Sequence, residues 1–304
     1  MILRPETQPA HANNAFVSAW EAVARAEKTT SAKYHLVRQP DHARVSGDIA
    51  QQLAITGAPP MDDDIVRGIS LHDEGWKDCD NGSERLSATP ATYSGENVAL
   101  NAEGRPLSFL EIKAGDFLRA WRGSIDSVEA VAPIAALIVS GHFCRLGKFG
   151  ISMATYAEDE ARSVREFLAS EEQRQCRLLR RQSRGESEVQ YWTDVLQFCD
   201  LLSLYLCCGS KESVEFPQRI GPKGETIRLQ LQDAAFVLSP APFAKEVELS
   251  VEARPYPAET GVQSITSKMA RAMISPCASR NAQKGTVAFY RLLSSAFSMT
   301  SRET

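Results

Sequence analysis

Five polar side chains sit where helical periodicity calls for apolar ones. At about 100° per residue, His42 shares a helix face with Val45, Ile49 and Leu53, and His72 shares one with Ile65 and Ile69, with Asp73 beside it. His142 aligns with Ala135 and Ile138 at the end of an apolar helix, and Asp200 lies within VLQFCDLLSLYL, apolar on every side. A lone carboxylate in such a helix is costly unless it neutralises, pairs or holds a cation, and no Lys or Arg lies within one turn of Asp200. Singly, each has a plainer reading. His42 would be a hydrogen-bonded core histidine, His72-Asp73 a helix-end pair, His142 a helix C-terminal group favoured by the dipole, and Asp200 half of a distant salt bridge. Together, three of the five histidines and two aspartates point inward from four helices. Imidazole and carboxylate in one place suit a divalent transition metal: Mn, Fe, Co, Ni or Zn.

Groups for chemistry on such a centre lie nearby in sequence. Glu74 follows the His72-Asp73 doublet and could act as general acid or base, with Asp78 and Asp80 as alternatives. Trp76 either packs over a substrate base or anchors the loop. Arg38 and Arg44 flank His42, Lys77 follows the doublet, and Arg145 and Lys148 follow His142, so these are the candidate phosphate contacts. Arg174, Arg177, Arg180, Arg181 and Arg184 read as a solvated helix face diluted by glutamates. No Walker A motif and no dinucleotide fingerprint occur.

The elements that must carry these residues are mostly helices. A strand is expected over Tyr34–Val37 and a helix over Asp41–Leu53, broken by Gly57 to Pro60. Asp62, Asp63 and Asp64 open the next helix, which runs to His72. Cys79 to Arg105 is a Gly-, Ser-, Asn- and Pro-rich loop, of a length that is functional or disordered. Helices follow over Ser108–Trp121, over Pro133–Phe143 (apolar nearly all round, hence buried), over Glu158–Arg181 and over Glu186–Cys207. Short strands are expected over Val214–Ile220, Thr226–Gln230, Ala235–Leu238 and Val247–Ala253. Residues 1–32, with a helix over Asn14–Glu27, read as a loosely attached extension, and 258–304 as a flexible basic tail with two weak helices. The expected fold is therefore mainly α: one helical body over 33–257 with a small C-terminal β appendage from about residue 210.

Composition narrows the class. The 304 residues are 43% hydrophobic and 24% charged with a net charge of −4, which argues against a general electrostatic grip on nucleic acid or anionic lipid. The longest apolar run, Val131 to Ile138, falls far short of a membrane span. Seven cysteines without a C-x-x-C pair exclude a zinc ribbon and disfavour a disulfide framework. The N-terminus lacks an apolar signal core. A reducing cytoplasm is the expected compartment.

The order His42, then His72-Asp73, then distant Asp200 resembles the HD-domain superfamily of metal-dependent phosphohydrolases. The strings RQPDHARVSGDIA, SLHDEGW and LIVSGHFCRLG are similar to an HD-like bacterial family of unknown function, from roughly Tyr34 to Pro257. The resemblance implies an HD-type helical bundle in which His42, His72, Asp73 and Asp200 ligate the metal. His142 falls where HD proteins with a second metal supply extra histidines. Those proteins usually show two such histidines, and His11 and His35 precede the first ligand, so one ion per chain is expected. The implied activity is hydrolysis of a phosphoester on a small phosphorylated substrate, a nucleotide among the candidates, with Asp73 and Glu74 as catalytic residues. Two other classes stand beside it: an HD-like iron-dependent oxygenase, and a non-catalytic metal- or nucleotide-binding module.

Overall fold

In the computed structural model, residues 1–7, 15–233, 235–257 and 263–271 are described. Chain order runs β1 (Ile2–Pro5), β2 (Val17–Ser18), α1 (Ala19–Lys28), β3 (Tyr34–Val37), α2 (Gln39–Gln52), α3 (Asp63–Ser70), the short α4 (Lys77–Asp80), β4 (Thr92–Tyr93) and β5 (Ala99–Leu100). Four long helices follow: α5 (Ala114–Glu129), α6 (Pro133–Ser152), α7 (Glu158–Leu179) and α8 (Glu186–Cys208). The described chain closes with β6 (Val214–Glu215), β7 (Arg228–Gln232), β8 (Ala235–Ser239), β9 (Val247–Tyr256) and β10 (Gln263–Arg271).

The expectation of a mainly α, all-helical body with a small β appendage is overturned. Eight strands form one mixed sheet in the order β1-β3-β9-β10-β8-β7-β6-β2. β10 pairs in parallel with β8 and β2 with β6, and the other pairings are antiparallel. The pivot is β9. Its alternating buried and exposed residues bury Val247, Leu249, Val251 and Ala253 on one face. Its last residues pair with β3 while its first seven pair with β10. One long strand thereby joins the N-terminal strands to the C-terminal ones.

Within residues 1–32, expected as a loosely attached extension, β1 and α1 are packed into the fold. Ile2 and Leu3 are fully buried in β1, and α1 buries Ala19, Ala22, Val23 and Ala26 at helical spacing. These small residues make a weak apolar stripe in sequence and a close packing surface in the fold. β10 falls within the segment expected to be a flexible tail. Of the tail expected to hold two weak helices, residues 258–262 and 272–304 lie outside the described residues, and the described residues all belong to one compact unit.

The helices follow the periodicity more closely. α2 starts two residues early, with Pro40 in its first turn, where a missing N–H costs nothing. α3 is capped by the Asp62 carboxylate, which accepts the Ile65 N–H at 3.0 Å. It ends at Ser70, so His72 and Asp73 lie in the turn between α3 and the 3-10 turn Glu74–Trp76, beyond the helix expected to hold His72. α5 begins later and runs further than expected, after a 3-10 turn at Phe109–Glu111. α6 continues nine residues past Phe143.

α6 is the hub, packing against α3, α5, α7 and α8, while α2 packs against α3 and α8. Two glycines allow the approach of the helices that frame the site. A Cβ on Gly47 would lie 2.6 Å from Ser70 Cβ, and one on Gly68 would lie 2.7 Å from Ala135 Cβ. The first draws α2 onto α3, and the second draws α3 onto α6. α6 is long and apolar enough to cross a membrane, but 67% of that window is buried inside the protein.

Candidate metal centre

The crowding of α2, α3 and α6 brings three imidazoles together. The His42 and His72 rings lie 5.2 Å apart and the His72 and His142 rings 5.5 Å apart, both edge to face. Asp73 enters from the turn after α3, and Asp200 from the middle of α8. All five side chains are buried, from 0% exposed for His72 to 9% for Asp200. Two overlapping donor sets result, His42-His72-Asp73 and His72-His142-Asp200, each with one atom per residue inside a 4.8 Å spread.

His72 and His42 are oriented by contacts on their far sides. His72 Nδ1–H donates to the Ile69 carbonyl at 2.8 Å. Its Nε2 is buried without a hydrogen-bond partner, at 3.4 Å from Asp200 Oδ1 and 3.7 Å from Asp73 Oδ2. The Asp200 carbonyl takes the Ser203 hydroxyl proton at 2.8 Å, leaving Ser203 Oγ to accept from His42 Nδ1 at 2.8 Å. His42 Nε2 then faces Asp73 Oδ2 at 2.9 Å. Ser46, which donates to the His42 carbonyl, sits 2.8 Å from Ser203 Oγ. His142 Nε2 lies 3.8 Å from Asp200 Oδ2. Imidazoles with one ring nitrogen pinned by the protein and the other aimed at buried carboxylates are how proteins hold histidines toward a cation.

The electrostatics agree. Burial alone would lower the His72 pKa, but Asp73 and Asp200 outweigh it and raise it to about 9. Burial would likewise raise Asp200, yet the His72 imidazole at 3.4 Å and the charges of His142, His72 and His42 bring it down to about 2. His142, where burial dominates, falls to about 4 and stays neutral. Two buried carboxylates thus draw positive charge to this point, and a divalent cation would meet the same field. The donor set, the orphaned His72 nitrogen and the neutral His142 all fit such an ion.

The other sequence candidates fall outside this cluster. Glu74 is half-buried and paired with Lys77 at 2.9 Å. Arg38 is held by Asp41 at 2.6 Å and by Asn81 at 2.7 Å, and Arg44 is exposed beside Asp48. Arg145 is engaged by α8, and Lys148 is exposed. Asp78 accepts from Ser83, and Asp80 accepts the Gln39 N–H at 2.6 Å. Trp76 is buried in the core, the anchoring alternative for that residue. Arg174 and Arg177 form ion pairs with α5 instead of a purely solvated face. Sequence reasoning missed Ser46 and Ser203. Their signal was spacing: Ser46 is one turn after His42, and Ser203 nearly one turn after Asp200.

A family described as a protein of unknown function (DUF3891) matches residues 26–257, about three quarters of the chain. The chain belongs to that family. Among curated proteins and solved structures, none matches it.

Proposed function

We propose that this member of the DUF3891 family is a metal-dependent phosphohydrolase of HD type, acting on a small phosphoester, a nucleotide among the candidates. The observation that carries the reading is the convergence of three buried imidazoles and two buried carboxylates around the unpartnered Nε2 of His72. His42, His72, Asp73, His142 and Asp200 would hold one divalent ion. Such an ion, when bound, acidifies water and polarises a phosphoryl oxygen.

The chain's own groups do the rest. The Ile69 carbonyl and Ser203 fix the His72 and His42 ring planes, so these ligands need no reorganisation. Glu74, tethered by Lys77, is the carboxylate next to the ligand set that remains available to move a proton. Arg38 and Lys77 provide the cationic rim for a phosphoryl group, with Arg44 further along α2. The reading places the protein in the cytoplasm with a small-molecule partner, and with neither nucleic acid nor membrane.

Elemental analysis of protein purified without added metal, beside Asp200→Ala, tests this. The expected result is about one Mn, Fe, Co, Ni or Zn per chain, lost in the variant, with phosphate released from some member of a phosphoester panel. Close to two irons per chain would favour the oxygenase reading. No metal after reconstitution would mean that the cluster is a hydrogen-bonded core.

A further inference from the structure

Arg145 has the sequence position of a phosphate contact and the geometry of something else. It lies three residues after His142 on α6, and Gln197 lies three residues before Asp200 on α8. Each is therefore about 4.5 Å along its axis from a proposed ligand. Arg145 Nη1 donates to Asp194 Oδ1 at 2.6 Å and to Gln197 Oε1 at 2.7 Å. Nη2 donates to Gln190 Oε1 at 2.7 Å and reaches the Gln190 carbonyl at 3.4 Å. One half-buried guanidinium thus grips three successive turns of α8. Its planar fork constrains both the slide and the rotation of one helix against the other. His142 and Asp200, which face each other across the same helix pair at 3.8 Å, are held by that constraint.

We infer that Arg145 is a positioning residue of the metal centre, which sets the spacing of His142 from Asp200 by clamping α6 to Gln190, Asp194 and Gln197 of α8. This rests on the metal reading proposed above. Arg174 supplies the comparison: it joins α7 to Asp126 and Glu129 of α5, two helices that carry no proposed ligand.

The test is a Co²⁺ titration of the full apo chain, followed by visible absorption, with apo Tm measured alongside. Arg145→Ala is expected to weaken Co²⁺ binding about 10- to 100-fold and to shift the absorption bands. Arg174→Ala, which removes a merely structural tie, is expected to lower apo Tm and leave affinity and spectrum as in wild type. Gln197→Ala, which keeps Arg145, is expected to move affinity and spectrum the same way by less, and to add little when combined with Arg145→Ala. It carries the test if Arg145→Ala fails to fold. Wild-type affinity and spectrum in Arg145→Ala, or in Gln197→Ala when that variant carries the test, overturn the inference while the metal reading stands. A wild-type chain that takes up no Co²⁺ overturns both.

Discussion

Asp73 and Glu74 are adjacent in sequence and part ways in the fold. Asp73 is buried against His42 Nε2, whereas Glu74 turns outward to Lys77. Asp73→Ala would remove the carboxylate that His42 Nε2 faces at 2.9 Å, one of the two in the cluster. The expected result is loss of metal by elemental analysis. Glu74→Gln touches no ligand and should retain the metal while lowering turnover on whatever phosphoester the wild type cleaves. Full metal occupancy in Asp73→Ala would sink the ligand assignment. The five clustered residues stood out in the sequence because His42, His142 and Asp200 interrupt apolar helical faces and His72-Asp73 follows one, and such interruptions are costly enough to need a reason. Ser203 and the clamp of Arg145 were not legible. A hydroxyl on an apolar face costs little, and the partners of Arg145 lie 45 to 52 residues away on another helix.

Among the elements, the helices and the strands β3 and β6 to β9 were expected from the sequence, and their assembly with β1, β2 and β10 into one sheet was not. β1 has four residues and β2 two, too few to show alternation, and β3 finds β9 across some two hundred residues. The long 79–105 segment, lacking any period, is ordered by a partner outside itself. Asp116, at the start of α5, is buried and accepts the backbone N–H groups of Ser87, Ala88 and Thr89 at 2.8, 3.0 and 2.7 Å, as well as the Ser87 hydroxyl. Burial alone would raise its pKa, but these donors outweigh it and lower it. Asp116→Ala strands the three N–H groups. It should cost about 3 kcal/mol by the worth of hydrogen bonds to a charged acceptor and open residues 79–105 to limited proteolysis. A cleavage pattern identical to wild type would show that the β4-β5 hairpin holds the segment without Asp116.

At the level of the whole molecule, the sheet and the helical body are fastened at a buried carboxylate. Glu27, at the end of α1, accepts the Leu3 N–H of β1 at 2.9 Å and the Ser108 hydroxyl at 2.7 Å. Ser108 also caps the 3-10 turn before α5, so one side chain ties three elements of different origin in the chain. Burial pushes the Glu27 pKa from 4.5 up to about 8, and the Ser108 and Leu3 hydrogen bonds, the N-terminal amine and Arg105 pull it back only in part. The sign follows from proton linkage. Between pH 4.5 and about 8 the folded chain holds a proton on Glu27 that the unfolded chain has released. Stability from this group is therefore greatest at the acid end of that window and falls as pH rises, by at most about 1.4 kcal/mol per pH unit. Glu27→Gln keeps an oxygen for Leu3 N–H, offers Ser108 Oγ a donor, and carries no charge to bury. Its Tm should decline less than that of wild type over the window and exceed it at pH 8. Parallel Tm curves for the two proteins across that range would mean that Glu27 is ionised in the fold and that the joint is held as a charge.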